Sequence, residues 1–113
     1  MTIIAVFQGI EAFLYSILKD PKLNISIFDK PDKTIGMRKA LNKFQTYLQN
    51  GGDIKNNEVI KYRNSLDQLV YLRDQIVHKG INVSKKECHS LIDDAFKFVS
   101  EYSNKIFHYS IFI

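Results

Sequence analysis

Three short interruptions govern how this chain can fold: Asp20-Pro21, Asn50-Gly51-Gly52 and Lys79-Gly80. Proline removes a backbone donor and clashes with the preceding helical turn. Glycine readily takes the left-handed turn just past a helix end. Between these breaks apolar residues recur at helical spacing, and no useful stretch alternates with the period of two that marks a half-buried strand. The spacing predicts four helices, over residues 2–19, 35–49 and 57–78 and from Ser84 onward. Thr34 is the expected N-cap of the second, with Met37, Ala40, Leu41, Phe44 and Leu48 on its apolar face. Ser84-Lys85-Lys86-Glu87 reads as a capping box, and the stripe Leu91, Ile92, Ala95, Phe96, Val99, Tyr102 and Ile106 continues from it. Residues 21–33 hold both prolines and form a loop, whose run from Ile25 to Phe28 is expected to pack on the core. The fold class expected is all-α: one domain over residues 1–113, an up-and-down four-helix bundle.

At 113 residues and 45% apolar, the chain can bury one compact core. Cys88 has no second cysteine to bond, which excludes a disulfide scaffold and suits a reducing cytoplasm. No run approaches the ~18 consecutive apolar residues of a membrane span. The apolar first 18 residues lack a basic start and a small-residue cleavage site, so a buried helix is expected there rather than a signal peptide. No cofactor is implied. No metal is expected either, because Cys88, His89 and His108 match no zinc-ligand spacing. Asn50-Gly51-Gly52-Asp53 lacks the preceding strand and the following Lys-Ser or Lys-Thr of a phosphate loop, and reads as a helix terminator. The formal net charge of +4 is modest. Lysine, however, outnumbers arginine 13 to 3.

One of those three arginines stands where a charge is costly. On a helical wheel Val59, Tyr62, Leu66, Leu69, Val70, Ile76 and Val77 form one apolar sector of the third helix, and Arg73 falls in its middle. A structural ion pair is one explanation, with Glu11 of the first helix as the partner. A second sector is polar: Asp67, Tyr71, Asp74 and His78 line one face, with Asp74 and His78 spaced to pair at i, i+4. Arg73 and His78 are five residues apart, which places them about 140° apart on a regular helix. Acting on one substrate therefore requires a second helix, and a two-fold homodimer with a shared cleft supplies it most simply. Lys79, Lys85 and Lys86 lie close in sequence to His78 and form a local basic patch suited to RNA phosphates.

The segment Tyr71-Leu72-Arg73-Asp74-Gln75-Ile76-Val77-His78-Lys79-Gly80 resembles the Arg-x4-His signature of the HEPN superfamily, including the polar residue directly after the arginine. It falls at the end of the third of four expected helices, before a glycine turn and a capped final helix. The resemblance extends over the whole chain in architecture and over residues 71–80 at motif level. It implies a metal-independent endoribonuclease of the kind found as toxins and in phage defence, or a non-catalytic module binding RNA, a nucleotide or a protein partner. By that likeness Arg73 holds the scissile phosphate, and His78 moves the proton of the 2′-hydroxyl or of the leaving 5′-oxygen. Asp74 orients the imidazole or adds a polar contact. An antitoxin is a possible partner. The toxin subgroup that is adenylylated carries a tyrosine two residues beyond the histidine. Gly80 stands there in this chain, so the likeness does not extend to that mode of regulation.

Overall fold

The computed structural model describes residues 2–20, 23, 25–31 and 33–107, the last three by backbone alone. Pro21, the Ile106 side chain, His108 and the apolar run to Ile113 lie outside the described residues. Among those described, the chain forms α1 (Ile3–Leu18), β1 (Phe28–Lys30), β2 (Lys33–Thr34), α2 (Met37–Asn50), α3 (Arg63–Lys79) and α4 (Lys85–Phe107). It is mostly helical, as expected. The strand pair was not: β1 and β2 run antiparallel, with Phe28 opposite Thr34, Lys30 opposite Lys33 and an irregularity between. Strands of three and two residues are too short to show alternation in a sequence. In the run from Ile25 to Phe28, expected to pack on the core, Ile25 and Ile27 are partly buried. Phe28 is half exposed, while Ile35 is buried and donates its N–H to the Ile27 carbonyl at 2.8 Å.

The residues fall into two compact units, one drawn from Met1–Ile10 and Lys61–Ile113, the other Glu11–Ile60. Helix α1 supplies its first turns to one and the remainder to the other. Its N-terminus is capped by Thr2, whose hydroxyl accepts the Ala5 N–H at 3.1 Å.

In the unit Glu11–Ile60, α2 buries Met37, Ala40, Leu41, Phe44 and Leu48, the face its spacing predicts. Phe13 meets Phe44 edge-on, with ring centres 6.5 Å apart. Tyr15 donates to the Ile35 carbonyl and, at 3.4 Å, to Glu11. Burial is the main reason its phenol is pushed above the usual value. Gly36, not Thr34, occupies the N-cap of α2 and supplies no side-chain bond. Thr34 belongs to β2 and bonds Tyr15 instead. The C-terminus closes as the sequence predicts. Gly52 takes φ 80°, its N–H donates to the Gln49 carbonyl, and the Asp53 N–H reaches back to Leu48 at 3.0 Å.

In the other unit, α3 starts at Arg63, well after the expected residue 57. Two α2 side chains explain the delay. Gln49 donates to the Glu58 carbonyl at 2.8 Å, and the Gln45 carboxamide oxygen accepts the Ile60 N–H at 3.2 Å. With those backbone groups engaged, residues 58–60 stay out of the helix. Ile60 is buried and Val59 is 65% exposed, so Val59 is not part of the α3 apolar face. The helix is entered through Tyr62, which has φ 67° and is the one non-glycine residue with positive φ among those described. Such a conformation costs about 1–3 kcal/mol and persists only when its surroundings hold it. Here Tyr62 donates to Glu101 at 2.9 Å and the Lys61 N–H donates to the Tyr102 hydroxyl at 3.0 Å.

Helices α3 and α4 run antiparallel, since Tyr62 meets Glu101 and Ser65 meets Asp94. Ser84 caps α4, accepting the Glu87 N–H at 3.2 Å as its motif predicts. The buried stripe of α4 is Leu91, Ala95, Phe98 and Tyr102. Phe96, expected inside, is 37% exposed, and Phe98 is fully buried in its place. The two are adjacent on either side of Lys97, and the helix is turned so that only one of them faces inward.

Candidate functional site

Arg73 sits on α3 in the middle of the sector that buries Leu66, Leu69 and Val70. That sector loses its cover toward the end of the helix. Val77 is 49% exposed and Ile81, just beyond, 44%. Leu72, on the flank of the sector, is buried instead. The Arg73 side chain is 37% exposed, so it is not a fully desolvated charge. Its guanidinium carbon stands 4.7 Å from the centre of the Phe7 ring, and its Nη1 donates to Asp74 at 3.1 Å. Among the described residues Asp74, and not the expected Glu11, is the carboxylate that Arg73 pairs with. The Glu11 carboxylate accepts from Tyr15, one turn away on its own helix. Arginine's length accounts for the difference: it can leave the apolar sector, lie along an aromatic face and reach its neighbour's carboxylate.

Asp74 is thereby paired with Arg73 and not with His78. His78 is exposed in the last turn of α3 and has no partner among the described residues. The polar stripe is divided in the same way. Asp67 accepts from Arg63 at 3.1 Å, a pair one turn apart, while Tyr71 is half exposed. Both carboxylates of the stripe are taken by arginines. Gly80 ends the helix with φ 63°, its N–H on the Ile76 carbonyl at 3.1 Å. A left-handed residue there is easy for glycine and strained for a side chain such as tyrosine.

Lys79, Lys85 and Lys86 are all exposed and free of ion pairs among the described residues. Lys85 and Lys86 open α4, where the helix dipole disfavours cations. Only Glu87 in that first turn complements the dipole. Cys88 is partly buried and His89 exposed. Among the described residues no three His, Cys, Asp or Glu side chains gather to hold a metal ion. No helix there is long and apolar enough to cross a membrane.

The α3 entry forms a second polar cluster, which the sequence did not signal. Glu101 accepts from both Tyr62 and Lys61, the latter at 3.3 Å. The carboxylate raises the Lys61 ammonium above its usual value, and its hydrogen bond raises the Tyr62 phenol likewise. These are anchoring contacts, since every polar group in the cluster is turned on another.

No family model matches the chain, and no curated protein or solved structure matches it.

Proposed function

We propose that the chain is a metal-independent endoribonuclease of the HEPN type, acting through Arg73 and His78 in a cleft shared by a homodimer, as a toxin or phage-defence component of the cytoplasm. The observation that carries this reading is the accessibility of both motif residues at the uncovered end of α3, with an unpaired imidazole beside exposed Lys79. The lysines at the start of α4 support it, because they stand where helix stability disfavours them. In the reaction the RNA 2′-hydroxyl attacks the adjacent phosphorus. The bond to the 5′-oxygen breaks, leaving a 2′,3′-cyclic phosphate and a 5′-hydroxyl. Arg73, leaving Asp74, neutralises the phosphate as charge builds on it, and His78 transfers the proton.

Purified protein incubated with total RNA in EDTA tests the activity. Cleavage is expected from the wild type and from neither Arg73→Ala nor His78→Ala. Mixing the two inactive variants tests the shared cleft. If each site takes its arginine from one subunit and its histidine from the other, statistical re-pairing restores about a quarter of the activity. Cleavage retained by both single variants would overturn the residue assignment, and no recovery on mixing would overturn the shared cleft.

A second reading is a non-catalytic module of the same kind that binds RNA, a nucleotide or a protein partner. The engagement of Arg73 by Asp74 and Phe7 within its own chain favours it. Binding of RNA without cleavage by the wild type would select this reading.

A further inference from the structure

Positive charge is concentrated in the strand pair and the first half of α2. Residues 28–43 hold five cations and two carboxylates, with Asp32 counted, a net +3 of the +4 in the whole chain. Lys39 meets Asp29 at 2.8 Å, a bond that ties the strand pair to the first turn of α2. Lys30, Lys33 and Arg38 are exposed and have no ion-pair partner among the described residues. Their positions are locally unfavourable. Lys30 and Lys33 are direct cross-strand partners, and like charges opposite one another destabilise a strand pair. Arg38 and Lys39 open α2 with no acid in the turn, where the helix dipole disfavours cations.

Phe28 belongs to the same strand pair, opposite Thr34, and is just over half exposed. The other aromatic rings of the unit Glu11–Ile60 are partly or fully buried. Ile27 is partly buried, and Ile35 and Met37 fully, so they do not widen this ring into an apolar patch.

A lone exposed ring among unpaired cations narrows the ligand. A membrane surface draws on apolar area, and one ring offers too little of it. An acidic peptide would use the cations and leave the ring idle. A single phosphate would not engage three cations spread over a strand pair and a helix. A single-stranded nucleic acid uses both parts: its unstacked bases lie on aromatic faces, and its repeated phosphates take the cations on either side.

We infer that the strand pair and the start of α2 bind single-stranded nucleic acid without regard to sequence. One base stacks on Phe28, and Lys30, Lys33 and Arg38 hold the phosphates around it. The inference concerns binding alone and uses none of the residues proposed for cleavage, so it does not rest on that reading.

An oligothymidylate of about twelve nucleotides, within the usual site size of such surfaces, tests it. DNA has no 2′-hydroxyl and survives the cleavage chemistry proposed above. The chain has no tryptophan, so the indole of Phe28→Trp reports on that position alone, with circular dichroism to check the fold. The oligonucleotide is expected to quench its emission. By anisotropy of the labelled oligonucleotide, Phe28→Ala is expected to bind about tenfold more weakly than wild type, the worth of one stacked base. Lys33→Gln is expected to reduce the slope of log Kd against log salt by about 0.7, the share of one phosphate contact. An unquenched indole, or wild-type affinity in Phe28→Ala, would overturn the assignment. So would thymidine monophosphate, or a duplex of the same length, binding as tightly as the single strand. Equal affinity for poly-L-glutamate would overturn it by reducing the surface to charge alone. Tighter binding to phosphatidylglycerol vesicles would overturn it in favour of a membrane.

Discussion

The guanidinium of Arg73 lies 4.7 Å from the centre of the Phe7 ring, so an arginine on α3 rests on an aromatic side chain of α1. The ring is buried and the arginine is partly open, which confines the charge to one side of the contact. A buried pair broken by removing one partner costs about 3–5 kcal/mol. The half-exposed Arg73 should cost less, about 1–2 kcal/mol on replacement by alanine. In a double-mutant cycle with Phe7→Leu, urea unfolding is expected to give a coupling of ~0.5–1 kcal/mol. A coupling near zero would remove the ring from the account of Arg73.

Phe96 and Phe98 test how α4 is turned. Phe98 is fully buried against Tyr102, with ring centres 5.1 Å apart, while Phe96 is 37% exposed. Phe98→Ala should cost about 3–5 kcal/mol. Phe96→Ala should cost clearly less in the same denaturation experiment, because less of its surface leaves water on folding. The reverse order would mean that the inward face is the one expected from sequence alone.

Ser103 is a buried polar residue of α4 whose hydroxyl has no hydrogen-bond partner among the described residues. Removing that group relieves a desolvation penalty without leaving a large void. Ser103→Ala is therefore expected to raise unfolding free energy by about 1 kcal/mol. A loss of stability in thermal or urea unfolding would show that the hydroxyl contributes to the native state.

The two ends of the pH scale act on different contacts. Lys61 and Tyr62 are held protonated by Glu101, with values raised from 10.5 and 10.0. Their contribution is complete below those ordinary values and is lost as the pH rises through the raised ones. Asp29 is held below its ordinary 3.8 by the hydrogen bond from Lys39, at 2.8 Å. Its contribution is present above 3.8 and disappears as the pH falls through the lowered value. Ultraviolet titration of wild type against Tyr62→Phe should isolate a tyrosine that ionises above 10.0, and Glu101→Gln should bring it down. A Tyr62 that ionises at or below its ordinary value would contradict the Glu101 bond.

The helix ends written locally in the sequence were legible: Gly52 and Gly80 in left-handed turns, and Ser84 over Glu87 at the start of α4. What the sequence could not show was set by residues far away along the chain. The start of α3 depends on Gln45 and Gln49 of α2, and the partner of Arg73 depends on where Phe7 lies. The choice between Phe96 and Phe98 is a question of helix rotation, which two nearby phenylalanines leave open on a wheel. The Arg73 and His78 spacing was legible as an angle. The pairing of Asp74 with Arg73 was not, because adjacent residues on a helix diverge and only a long side chain closes the gap.

Tyr62 is the point at which α3 is clamped, by its own bond to Glu101 and by the neighbouring bond from Lys61 to Tyr102. One turn on, Ser65 bonds Asp94 of α4, and Leu66, Leu69 and Val70 are buried beyond it, so the rotation adopted at the clamp is kept by the packing that follows. The bearing of Arg73 and His78 is thus set along the first turns of α3, before either residue is reached. A tyrosine kept in a backbone state that favours glycine acts here as the index mark from which the motif is aimed.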